Sequence, residues 1–223
     1  MSNITLISTI HKENGKCNSD ELLKIIESIS PEIIFEECTP SDFHRYYQEK
    51  IPTASLEVNA VKKYLRNYQI EHIPVDTYFD TYKILDICSI KKEFDIMLGI
   101  FDNYDEYCFL QEELFSMTCR NGFDFLNSKQ SDELFDQIRI VEEKIVKHRN
   151  DEKLSRAYKL FNGKIKDKRE DIIINNIYNY SKEHEYDQAL LYIGAEHRKS
   201  IIKKIEKYEI QKKTKLDWTF YGG

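Results

Sequence analysis

Leu190-Leu191-Tyr192-Ile193-Gly194-Ala195-Glu196-His197, near the C-terminal end of the chain, decides the fold. A short apolar run closes on a glycine, and a histidine follows three residues later. A segment with apolar residues at helical spacing (Ile201, Ile202, Ile205, Tyr208) then begins at once. That order predicts strand, tight turn, helix. Ligands of an open α/β sheet collect beyond the carboxyl ends of its strands, so a histidine on such a turn is aimed at the expected site. The other end of the chain repeats the arrangement. Ile4 to Ile10 reads as a strand, and His11 stands just past it.

Between these ends, Leu22, Leu23, Ile25, Ile26 and Ile29 supply one face of a helix that Asn18 or Ser19 can cap and Pro31 stops. Glu32-Ile33-Ile34-Phe35-Glu36 is a second strand, closing on the pair Glu36-Glu37. Side chains alternate across a strand, so only one of those carboxylates can share a face with a given partner. Ser55 to Tyr68 is helical, and Ile70 to Asp76 is a third strand whose internal proline favours a sheet edge. Strand, helix, strand, helix, strand predicts a mostly parallel sheet with crossover helices. From residue 80 the rhythm changes to long amphipathic patterns such as Leu134, Ile138, Val141, Ile145 and Val146. The expected organisation is an α/β core over residues 1–79 and 165–223, with a large all-helical insertion over 80–164.

The 223 residues are 41% hydrophobic and 32% charged, which suits a globular chain with a solvated, helix-rich surface. A net charge of −6 argues against a general electrostatic grip on nucleic acid or anionic lipid. Cys17, Cys38, Cys88, Cys108 and Cys119 are odd in number and widely spaced, favouring reduced thiols over a disulfide scaffold. No signal-peptide pattern opens the chain, and no apolar run approaches a membrane span. A cytoplasmic protein is expected. His44, His72, His148 and His184 have charged or loop neighbours and are read as solvated.

His11, Glu36 and His197 would lie at the carboxyl ends of three strands. Two imidazoles and a carboxylate suit a divalent transition ion with open positions, or an ion-free acid and base pair. Four motifs then carry a resemblance. Ser8-Thr9-Ile10-His11 and Gly194-Ala195-Glu196-His197 are G-x-x-H motifs, the first with serine in place of glycine. Phe35-Glu36-Glu37-Cys38 carries a strand-end glutamate, and Lys168-Arg169-Glu170-Asp171 an arginine at a helix start. In this order they resemble the group of TraB pheromone-shutdown, GumN-like and TIKI proteins, more distantly ChaN-like and erythromycin-esterase-like proteins. The resemblance covers roughly residues 4 to 79 and 165 to 207.

The resemblance implies a divalent-metal hydrolase, a peptidase in the TIKI members. His11, Glu36 and His197 would hold the ion, Glu37 standing in reserve for Glu36, and Arg169 would sit near the site. Manganese, cobalt and zinc are not distinguished. The substrate would be a small molecule or peptide, with the helical insertion covering the crevice or meeting a protein partner or second copy. Two other readings stand beside it. One is a ligand-binding or sensing module without turnover, as ChaN-like relatives imply. The other is a hydrolase using Cys38 as nucleophile, with His11 or His197 as its base. Asp76, at the end of the third strand, is a further ligand or a helix cap.

Overall fold

The computed structural model describes residues 2–77, 104–212 and 215–222. Part of the expected insertion, residues 80–103, therefore lies outside the described residues. Five parallel strands form one sheet: β1 (Asn3–Thr9), β2 (Ile33–Glu36), β3 (Glu71–Pro74), β4 (Gln188–Gly194) and β5 (Asp217–Phe220), in the order β3-β2-β4-β1-β5. β1 and β4 are neighbours in register from Asn3 beside Gln188 to Thr9 beside Gly194, so both strands end level. The proline-containing β3 is an edge strand, as its missing backbone donor requires.

β5 was not expected. Its residues Asp217-Trp218-Thr219-Phe220 follow the lysine-rich tail and pair along β1 from Asn3 to Leu6. Beyond Leu6 the edge of β1 is completed by a side chain. Asn127 accepts from the Ser8 N–H at 2.7 Å and donates to the Ser8 carbonyl at 3.1 Å, reproducing a strand's hydrogen bonds with one amide.

Helices cover both faces. α1 (Ser19–Ile29) starts at Asn18, whose side chain accepts from the Asp20 and Glu21 N–H groups, and ends at Ser30 in the left-handed region, just before Pro31. α2 (Pro40–Phe43) runs into a π-helical turn at His44–Gln48. α3 (Leu56–Tyr64) is capped by Ser55 and shares an apolar cluster with α1, Ile7, Ile34 and Leu190. Ile4, Leu6, Phe35, Leu191 and Ile193 point the other way, onto α7 (Lys166–Glu183) and α8 (Arg198–Lys212). The connection leaving β1 thus packs on one face and that leaving β4 on the other. Such divergence opens a crevice between the two strand ends.

Above that crevice stand α4 (Tyr104–Leu126), α5 (Lys129–Arg149) and α6 (Glu152–Tyr158), followed by a π-helical segment, Lys159–Ile165, that leads into α7. Gly122 breaks the regularity of α4 at φ 59°, and a Cβ there would meet the Lys16 backbone at 3.0 Å, so glycine is needed on both counts. Leu110, Phe123, Leu126, Leu134 and Ile138 of this layer belong to the same cluster as Ile7 and Leu22 of the α/β core. No described helix is long and apolar enough to cross a membrane.

Candidate functional site

Gly194 ends β4, and the chain turns through Ala195–His197 into α8. The turn folds the His197 ring down against α7, leaving it 4% exposed. Its Nδ1 lies 2.8 Å from Oε1 of Glu170, itself buried on α7. The other oxygen of Glu170 accepts from the Ser200 hydroxyl at 2.6 Å and lies 3.8 Å from Nζ of Lys204. A carboxylate so surrounded by donors accepts rather than donates, which puts the Nδ1 proton toward Glu170 and turns Nε2 toward the crevice. Nε2 stands 3.6 Å from Oε1 of Glu37 and 3.4 Å from Oε1 of Glu196.

Glu37, one residue past β2, is fixed from two sides. Its Oε2 accepts from the Gly194 N–H at 2.6 Å, and its Oε1 accepts from Nη2 of Arg169 at 3.2 Å. Arg169 reaches the same place from the first turn of α7 and grips Asp76, past the end of β3, through Nε and Nη2. Partial burial works against the guanidinium charge, but Asp76 and Glu37 outweigh it and hold its pKa above the ordinary value. The structure thus brings together His197, Arg169, Glu37 and Asp76 from the ends of three strands and one helix.

His11 is in the crevice but largely exposed, its Nδ1 3.4 Å from Oε1 of Glu57. Hydrogen bonding to Glu57 raises the imidazole to about 9, with partial desolvation opposing and the charges of Glu57, Glu37 and Glu196 assisting. Glu57, buried on α3, also accepts from the Thr9 hydroxyl at 2.8 Å and the Ser55 hydroxyl at 2.7 Å. Burial alone would push its carboxyl up, but His11 and Ser55 outweigh it and hold it below its ordinary value.

Glu36 is placed elsewhere. It points to the face occupied by Ile34, is wholly buried, and accepts from Tyr47 at 2.8 Å and Tyr192 at 2.5 Å, with Nδ1 of His72 at 2.6 Å. The alternation along β2 leaves Glu37, not Glu36, on the crevice side. His72 is correspondingly not solvated. It packs against Phe43 and Tyr47 and serves the buried carboxylate. Cys38 is half-buried, and desolvation together with Glu36, Asp42, Asp76 and Glu37 pushes its thiol far up. A nucleophilic cysteine needs the opposite shift.

Of the expected ligands, His11 and His197 line one cavity together with Glu37, the reserve, while Glu36 faces away from it. Among the described residues no group of three or more His, Cys, Asp or Glu side chains is arranged to hold a metal ion. Glu36 is engaged by Tyr47, Tyr192 and His72 on another face, and the Nδ1 of His11 is taken by Glu57. Glu37 already shares its charge with Arg169. This donor set does not fit a divalent ion.

Glu170 and Glu57 were missed in the sequence, although a signal was there. Glu170 stands on the stripe it shares with Ile173, Ile174 and Ile177, and Glu57 on that of Val61 and Tyr64. A carboxylate on a helix's buried stripe is retained only where donors meet it.

The crevice has two connected lobes, of about 660 and 540 Å³. The larger contains His197 and runs under α4, α5 and α6; the smaller lies beside the α2 and α3 starts. No family model, curated protein or solved structure matches this chain.

Proposed function

We propose that this chain is a hydrolase of ester or amide bonds in a small molecule or peptide, with His197 as general base. The observation that carries the reading is the buried Glu170–His197 pair, which directs Nε2 into a cavity beside an arginine. A base must be held in one tautomer and one orientation to take a proton, and a buried carboxylate on Nδ1 does both. The motif resemblance to TraB, GumN and TIKI proteins supports the reading through Gly194 to His197 and Arg169, with Glu37 in place of Glu36 as the strand-end glutamate.

In this mechanism a water molecule in the larger lobe gives its proton to Nε2 of His197 as its oxygen bonds to the carbonyl carbon. The negative charge that forms on the carbonyl oxygen faces Arg169, permanently cationic and held by Asp76 and Glu37 so that little reorganisation is needed. On collapse the carbon–oxygen or carbon–nitrogen bond breaks. The proton on Nε2 passes to the departing atom, and the ring returns to its starting state.

The test is turnover on a panel of esters and amides by the wild type, His197→Ala and Glu170→Gln, each with and without chelator. The reading expects His197→Ala to abolish turnover and Glu170→Gln to reduce kcat by about 10²–10⁴-fold. Chelator should leave the wild type active. Loss of activity with chelator would restore the metal, and ligand-induced stabilisation without turnover would make the chain a binding module.

A further inference from the structure

α7 and α8 meet along two short polar stripes. Ser200 and Lys204 are four residues apart on α8, and His197 stands three residues before Ser200, so all three side chains fall on one side. Asp167, Glu170 and Asp171 share one side of α7 by the same spacing. Lys204 joins the stripes: its Nζ lies 2.6 Å from Oδ1 of Asp167 and from Oδ1 of Asp171, and donates to the Asp167 carbonyl at 2.8 Å. Those contacts fix the height of one helix against the other. Glu170, between the two aspartates in sequence, arrives level with both His197 and Ser200.

Glu170 is 1% exposed, and its two oxygens are held separately. Oε1 faces Nδ1 of His197 at 2.8 Å, and Oε2 accepts the only hydroxyl hydrogen of Ser200 at 2.6 Å. The last torsion of a glutamate is broad and roughly two-fold, so the side chain does not itself set the plane of its carboxylate. One partner fixes one oxygen and leaves the plane free to turn about it; a donor on the other oxygen removes that freedom. Lys204 lies 3.8 Å from Oε2, beyond hydrogen-bond reach, so that donor is Ser200. The plane of the carboxylate sets the line of the Nδ1 hydrogen bond, and the direction of Nε2 follows from it.

We propose that Ser200 is a positioning residue of the His197 base, holding the Glu170 carboxylate so that the ring keeps its proton on Nδ1 and its Nε2 aimed into the crevice. Ser200 lines neither lobe, so it acts through Glu170 and His197 and not on the substrate. What the base does rests on the hydrolase reading; how it is held rests on these hydrogen bonds alone.

The test compares wild type, Ser200→Ala, Ser200→Thr and Ser181→Ala. Ser181 is the matched control, a half-buried serine of α7 whose hydroxyl bonds the Ile177 carbonyl at 2.8 Å, away from the site. Two readouts are taken: turnover of the panel ester or amide that the wild type cleaves fastest, and nitrogen-15 spectra of the neutral His197 ring in the ligand-free protein. Ser200→Ala is expected to lower kcat by about 10–100-fold with KM within about twofold of the wild type. Its spectra should show the Nε2–H form of the ring beside the Nδ1–H form that the wild type shows alone. Ser200→Thr, which keeps the hydroxyl, should restore both readouts, and Ser181→Ala should move neither. Ser200→Ala with unchanged kcat, a fall in kcat without a change in the ring, or equal losses in Ser181→Ala overturns the assignment. If the wild type turns over nothing, the hydrolase reading fails by itself. The ring spectra then decide the role of Ser200: a mixed ring in Ser200→Ala upholds it, and an unchanged ring overturns it.

Discussion

At the scale of single residues, Glu36 and Glu37 are bonded neighbours with opposite surroundings. Glu36 is wholly buried beneath Tyr47, Tyr192 and His72, while Glu37 is tied to Arg169 and the Gly194 N–H at the crevice. Glu36→Gln replaces an acceptor by a group with two hydrogens of its own, which face donors already in place. It is expected to cost about 2–4 kcal/mol in urea unfolding, because buried donors lose a charged partner. Glu37→Gln should cost under about 1 kcal/mol in the same measurement, since Arg169 keeps Asp76, yet should reduce turnover at least tenfold by loosening the arginine. Reversal of that order would return the site to Glu36. Ser8 offers a cleaner case. Its hydroxyl is buried and finds no hydrogen-bond partner. Ser8→Ala keeps the Cβ and removes an unsatisfied polar atom, so stability should hold or rise by up to about 1 kcal/mol. A loss of more than that would mean the hydroxyl has a partner such as a bound water.

At the scale of elements, one contact ties the loop after β1 to α3: the His11 imidazole on the buried Glu57 carboxylate. His11 is raised from 6.5 to about 9, so its contribution to stability is complete below about pH 6.5 and disappears as pH rises through about 9. Glu57 is lowered, so its contribution is complete above its ordinary value of 4.5 and is lost as pH falls through the depressed one. The melting temperature of wild type minus that of His11→Gln should therefore be largest near pH 5–6.5 and close toward zero above about pH 9.5. The exposed imidazole is screened by solvent, so the difference should also shrink in 1 M salt. A difference that stays flat across that range would leave His11 outside any ion pair. Elements also differ in how openly the sequence announces them. β1, β2 and β4 are apolar runs bounded by turn residues, and Pro74 marks β3 as an edge. β5 carries only four residues of alternating exposure after a run of lysines, too short a pattern to separate from a polar tail. Which of Glu36 and Glu37 faces the crevice depends on which sheet face the helices after β1 and β4 take. That is a property of the fold, not of the dipeptide.

At the scale of the molecule, the helical residues that follow β3 in the chain are not a detachable cap. Leu110, Phe123, Phe125, Leu126, Leu134, Ile138, Val141, Ile145, Val146 and Leu154 lie in one apolar cluster with Ile7, Leu22, Ile26, Ile34 and Leu190. Asn127 completes the edge of β1, and Asp132 on α5 holds Arg198 on α8 at 2.6 Å. Burying one large apolar side chain contributes about 1.5–3 kcal/mol, so losing contacts equivalent to three of these ten would remove about 5–9 kcal/mol. A domain of this kind holds a total of about 5–15 kcal/mol. Replacing residues 80–164 by a glycine-serine linker should therefore leave a sheet that does not fold cooperatively. It would be recognised by lost near-ultraviolet circular dichroism, collapsed amide dispersion and dye binding to the uncovered face. A soluble core with a sharp unfolding transition would instead make the insertion an independent unit. The same dependence bears on the site, because α4, α5 and α6 wall the larger lobe while β1, β2 and β4 supply its polar end. A substitution that loosens α5 on the sheet, such as Ile138→Ala, should then lower both stability and turnover, whereas one confined to α1 should lower stability alone.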